Sequence, residues 1–162
     1  MKSSTEKFIA MVKHPVKFRM FLFMRLPAAY FSGINIKEIS EERSIVTVPY
    51  RWLTQNPFHS TYFASLAMAA EMSTGVLAMA HIYKRHPSVS MLITNMEATY
   101  FKKATGKTFF LCEAGKQIFD TIEEAVTKNE PRSITVKSTG TNKDGDLIAE
   151  FLFTWSFKAK AV

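Results

Sequence analysis

"SLAMAAEMSTGVLAMA", residues 65–80, decides how the rest of this chain is read. It is the core of a nearly unbroken apolar run from Tyr62 to Tyr83, rich in Ala rather than Leu. The length would span a bilayer, but Glu71, Ser65, Ser73, Thr74 and His81 interrupt it. Such polar insertions suit a helix buried in protein better than one in lipid. A helix apolar on all sides has to be wrapped, so the flanking segments must supply a sheet.

They do so in order. Residues 33–40 alternate Ile34 and Ile36 with polar neighbours, and 44–50 is β-branched, which together read as a hairpin. "RWLTQNPFHST" (51–61) is a loop, with Ser60 or Thr61 as N-cap of a helix running from about 60 to 83. Strands follow at 89–101 and 107–114, joined by "KKATGK". Ile118, Ile122, Ala125 and Val126 then fall at helical spacing, giving an inserted short helix at about 116–129. Strands at 133–141 and 147–157 flank "NKDGD", a strong hairpin signal. Before all of this, residues 4–24 form one or two helices broken near Pro15, and Pro27 ends them. The fold class is therefore α+β: an antiparallel sheet wrapped around one long central helix, in a single domain (1–162) with an N-terminal helical extension (1–27) and a core at 33–158.

The chain has 162 residues, 14 of them Phe, and a formal net charge of +7. The charge suits an anionic partner, but the basic residues are spread along the chain and no nucleic-acid motif organises them. One cysteine, Cys112, excludes an intramolecular disulfide framework and points to a reducing, cytoplasmic location. His81 and His86 lack a third ligand by spacing, so no metal site is expected. The mixture of Phe, Met, Lys and Arg in "FIAMVKHPVKFRMFLFMRL" (8–26) has two readings. It is a helix packed over the sheet edge, the reading favoured here, or one lying at a membrane surface.

The chemistry rests on Glu71. An unpaired carboxylate in an apolar helix is costly, so it escapes to solvent, finds a cation, or does chemistry. Ala67, Met68, Thr74 and Gly75 share its helical face, and the Thr74 hydroxyl is within reach of it. Their packing should raise its pKa towards working pH. At the helix start lie Asn56, His59 and the N–H groups of Tyr62, Phe63 and Ala64, which suit a developing negative charge.

"NPFHSTYFASLAMAAEMSTG" (56–75) resembles the signature of hotdog-fold acyl-CoA thioesterases, especially the phenylacetyl-CoA branch: an Asn, a His-Gly-Gly loop, and an acid on the central helix. The fifteen-residue spacing from Asn56 to Glu71 matches. "MEATYFKKATGKTFFLCEAG" and "NKDGDLIAEFLFTW" resemble the family's later strands, so the likeness covers about 33–157. Within that superfamily the chain is most similar to a subfamily with an added N-terminal helix. The resemblance implies a hotdog fold and hydrolysis of an acyl-CoA thioester to a free acid and CoA. It implies Glu71 as base or nucleophile, Asn56 as the residue orienting substrate or water, and the backbone N–H groups of Phe63 and Ala64 as oxyanion donors. Phe58, His59, Tyr62, Met68, Thr74 and Gly75 would contact substrate, and Lys102, Lys103 and Lys107 would meet the CoA phosphates. It also implies a homodimer or dimer of dimers, and no cofactor beyond the CoA of the substrate. Tyr62, Phe63 and Ala64 stand where His-Gly-Gly would fall, and Ile93 where some relatives carry a Ser. These departures support an alternative, a non-catalytic acyl-CoA or fatty-acyl binding protein.

Overall fold

The computed structural model describes residues 3–160; residues 1–2 and 161–162 of the expected domain lie outside the described residues. Three helices come first: α1 (Ser4–Lys13), α2 (Pro15–Arg25) and α3 (Pro27–Ser32). Ser3 and Glu6 cap the start of α1 reciprocally, each side chain bonding the other's backbone N–H. His14 ends α1 and begins α2, its Nδ1 accepting from the Lys17 N–H at 3.5 Å. Pro27 does not end the helical segment as expected from sequence. It occupies the first turn of α3, where its missing N–H costs nothing, and Gly33, at φ 73°, terminates that helix instead.

The strands are β1 (Asn35–Ile39), β2 (Ser44–Val48), β3 (Val89–Tyr100), β4 (Thr108–Cys112), β5 (Arg132–Thr141) and β6 (Leu147–Ala159). They form one antiparallel sheet in the order β1-β2-β4-β5-β6-β3. The expected hairpin closes β5 and β6: Asn142 Oδ1 accepts from the N–H groups of Asp144 and Asp146, and Gly145 takes φ 87°. The sheet curls around α4 (Phe63–Ile82). Along β6, alternate residues Phe151, Phe153, Trp155 and Phe157 are buried, the period-two signature of a sheet with one face on the core.

The Ala-rich composition of α4 has a structural reason. Ala69, Ala70, Ser73 and Thr74 are fully buried, and such small side chains let the helix sit close to the sheet. The hydroxyls of Ser73 and Thr74 are both engaged. Ser73 Oγ bonds Ser138 Oγ at 2.7 Å, Ser44 Oγ donates to the Ser73 carbonyl at 2.5 Å, and the Trp155 indole donates to Thr74 Oγ1 at 2.9 Å. By length and composition α4 passes the test for a membrane span, but it is the core helix of this sheet.

The remaining helix, α5 (Gly115–Lys128), buries Ile118, Ile122 and Ala125 against α4, β5 and β6. Its start passes so close to the β1–β2 turn that a Cβ on Gly115 would lie 2.0 Å from the Glu41 carbonyl oxygen. The N-terminal helices close the open side of the curled sheet. Phe8 and Val12 of α1 and Phe18 and Leu22 of α2, each pair four apart, are buried. Burying side chains of this size stabilises the fold by about 2 kcal/mol each.

Candidate functional site

Glu71 sits on the side of α4 turned away from Ser73 and towards the N-terminal helices. It opens into a small cavity of about 70 Å³ whose other walls are apolar: Phe8, Met11, Phe18, Leu22, Ile36 and Met91 among them. Burial pushes the Glu71 carboxyl up from its ordinary 4.5 to about 7. Among the described residues no cation or hydrogen-bond donor pairs with the carboxylate. Gly75 gives it room: a Cβ there would stand 2.9 Å from Glu71 Oε1 and 3.4 Å from the Trp155 ring. The Thr74 hydroxyl does not reach the carboxylate. It donates to the Glu71 backbone carbonyl at 2.9 Å while accepting from Trp155, because its helical phase turns it to the sheet.

The start of α4 forms a second site. Neither Ser60 nor Thr61 caps the helix, as the sequence suggested. Ser60 Oγ donates to Asn56 Oδ1 at 3.2 Å, Thr61 Oγ1 donates to the Ala104 carbonyl at 3.1 Å, and the N-cap position falls to Tyr62, which makes no side-chain cap. The Tyr62 N–H is taken by the Thr54 carbonyl at 2.7 Å. The N–H groups of Phe63 and Ala64 have neither a side-chain cap nor, among the described residues, a backbone acceptor, so they are left at the positive end of the helix dipole. Asn56 Oδ1 accepts from Phe58 N at 2.9 Å and Ser60 N at 3.3 Å, an Asx turn that holds the loop. Any contact between this side chain and a ligand thus falls to its Nδ2 group. His59 is exposed, at φ 57°, on the same loop.

Asn56, Phe58, Tyr62 and Phe63 line an open cavity of about 550 Å³ together with Tyr100, Lys102 and Lys103. Lys102, Lys103 and Lys107 also border an adjoining cavity of about 500 Å³. Lys102 Nζ is paired with Asp146 at 2.5 Å, a contact that holds the Asp146 carboxyl below its usual range, and Lys103 Nζ donates to the Phe58 carbonyl at 3.3 Å. Met68 and Thr74 line neither the Glu71 cavity nor the one at the helix start.

The expected site residues therefore do not form one cluster: Glu71 and Gly75 face one cavity, and Asn56, Phe58, Tyr62, Phe63, Lys102 and Lys103 line another at the start of the same helix. Glu71 lies eight positions after Phe63, roughly 12 Å along the axis. Sequence reasoning missed the N-terminal contribution to the Glu71 cavity. The signal for it was the pair of i, i+4 apolar repeats, Phe8/Val12 and Phe18/Leu22, which mark an inward face.

An antiparallel sheet curled around one long central helix is the architecture of the hotdog fold. The chain belongs to the family described as a domain of unknown function, DUF4442, whose model matches residues 17–157. No curated protein matches it in sequence. Among solved structures it is similar to a Pseudomonas aeruginosa protein of unknown function described as a probable thioesterase, with a TM-score of 0.77 at 14% identity over 90% of this chain and 97% of that one. It is similar to a Chlorobaculum tepidum protein of unknown function, with a TM-score of 0.75 at 16% identity over 89% and 93% of the two chains. A thioesterase from Haemophilus influenzae aligns with a TM-score of 0.59 at 13% identity over 86% and 88%. What these chains share with this one is the fold.

Proposed function

We propose that this protein is a thioester hydrolase that converts an acyl-CoA to a free acid and CoA. The observation that carries the reading is Glu71: a carboxyl held at about 7 by burial, unpaired, and facing an apolar cavity. A group with that pKa accepts a proton at neutral pH and can hand it on. Glu71 takes a proton from water as the water attacks the thioester carbonyl, and the proton then passes to the departing CoA thiolate. Direct attack by the carboxylate, through an anhydride opened by water, uses the same geometry. The acyl group packs among Met11, Phe18, Met72 and Met91, and the flexible methionines can enlarge the space.

The uncapped N–H groups of Phe63 and Ala64 are suited to polarising the thioester carbonyl. Their distance from Glu71 of the same chain argues that a second copy supplies the helix start to each carboxyl, as a homodimer. The outer edge of β3 supports that assembly. β3 is a twelve-residue edge strand exposing Leu92, Met96 and Tyr100, next to exposed Phe58, Tyr62 and Phe63. The basic turn at Lys102, Lys103 and Lys107 lies beside this site, where CoA phosphates would meet it.

Thiol release from short-chain, long-chain and phenylacetyl-CoA thioesters, by wild type and Glu71→Gln, tests the reading. Hydrolysis by wild type that falls at least a hundredfold in a folded variant supports it. A preference for phenylacetyl-CoA would place the chain in that branch. Equal rates would make Glu71 structural. Saturable acyl-CoA binding without hydrolysis would favour an acyl-binding protein, the reading suggested by Phe63 and Ala64 in place of two glycines.

A further inference from the structure

The helix α2 is apolar on two opposite sides. Phe18 and Leu22 face inward and are buried. Val16, Met20, Phe23 and Met24 face outward and remain 68, 55, 54 and 64% exposed. At 3.6 residues per turn these four form one stripe, with Lys17 along one border and Arg19 along the other. Phe31 of α3, 53% exposed, extends the stripe, its ring 6.3 Å from that of Phe23. Arg19 is held in place: its guanidinium lies 4.0 Å from the centre of the Tyr30 ring and donates to the Tyr30 carbonyl at 3.2 Å. From residue 13 to residue 33 the chain carries Lys13, Lys17, Arg19 and Arg25 and no acidic residue.

Apolar side chains bordered by cations suit a surface that is greasy below and anionic above. A second copy fits poorly. A two-fold contact would set this patch against itself and bring its cations together without a counter-charge. The outer edge of β3, by contrast, offers an apolar surface without that penalty.

We infer that the outer face of α2, extended by Phe31, docks on an anionic lipid surface. Val16, Met20, Phe23 and Met24 enter the headgroup–acyl boundary, and Lys17 and Arg19 lie at the phosphates. The inner face of the same helix lines the Glu71 cavity through Phe18 and Leu22, so that cavity lies about one helix diameter, roughly 10 Å, from the lipid. The inference goes beyond the hydrolase reading and is independent of it.

The test is co-sedimentation of the full chain with vesicles, of phosphatidylcholine alone or with one third phosphatidylglycerol. The wild type binds the anionic vesicles and binds less as salt rises. Met20→Glu/Phe23→Glu lowers binding at least tenfold. Lys17→Glu, which leaves the apolar stripe intact, lowers it about fivefold or more. Both variants alter exposed side chains, and circular dichroism checks that each is folded. No binding to anionic vesicles at low salt overturns the inference, as does equal binding by wild type and variants. A smaller oligomer for Met20→Glu/Phe23→Glu by light scattering, with vesicle binding unchanged, would assign the face to a second copy and also overturn it. Thioester hydrolysis enters none of these readouts, so loss of the hydrolase reading leaves the result interpretable.

Discussion

Replacing Glu71 by Gln tests the electrostatics of the helix directly, through stability and without any substrate. The unfolded chain ionises this carboxyl at its ordinary 4.5, the folded chain only at about 7. Because the folded value is the higher one, the folded state holds the proton where the unfolded state has released it. Stability therefore falls as the pH rises from about 4.5 and levels off above about 7. The full cost of ionising the group in place is about 3 kcal/mol. Glutamine has nearly the same shape and carries no charge, so it does not pay that cost. Between pH 5 and pH 8 the variant should gain about 2.5 kcal/mol relative to wild type, most of the full cost. For a chain of this length that corresponds to a relative rise in Tm of about 5–10 °C. Urea and thermal unfolding of both proteins at the two pH values, at one fixed protein concentration, measure it. Parallel pH dependence would refute the reasoning, because it would mean that the carboxyl is solvated or paired with a cation in solution.

Four further outcomes follow from the same geometry. The acyl-CoA hydrolysis rate should rise with pH through an apparent pKa near 7, and a profile flat from pH 5 to 9 would remove Glu71 as the base. Gly75→Ala should lower kcat about a hundredfold while the variant stays folded, since its Cβ displaces the carboxylate; unchanged kinetics would show that Glu71 has other room. Trp155→Phe leaves the buried Thr74 hydroxyl without its indole donor and should cost about 1–3 kcal/mol in urea unfolding. Cys112, buried and with its thiol pushed up to about 11, should react with a thiol reagent only after denaturation; rapid labelling of the native protein would contradict its burial.

The element order was legible because local rules produce it. The apolar run at 65–80, the alternation of Phe151, Phe153, Trp155 and Phe157, and the "NKDGD" turn each carry their own signal, and the structure places a helix, a strand and a hairpin there. Glu71 was legible for a similar reason, since a carboxylate amid alanines is conspicuous and costly. Helix ends were read less well. Ser60 and Thr61 have N-cap chemistry, but Asn56 and the Ala104 carbonyl claim their hydroxyls, and Ala104 lies forty-three residues from Thr61. Pro27 was read as a stop when it is also a permitted start.

The sequence by itself determined that an apolar helix carrying one carboxyl would be wrapped by antiparallel strands, because hydrophobic periodicity and turn chemistry act over a few residues. Only the tertiary structure decided what the carboxyl faces. The packing of α1 and α2 over it and the capture of the Thr74 hydroxyl by Trp155 both depend on contacts between distant segments. Periodicity reports that a side is buried; it does not report which partner buries it.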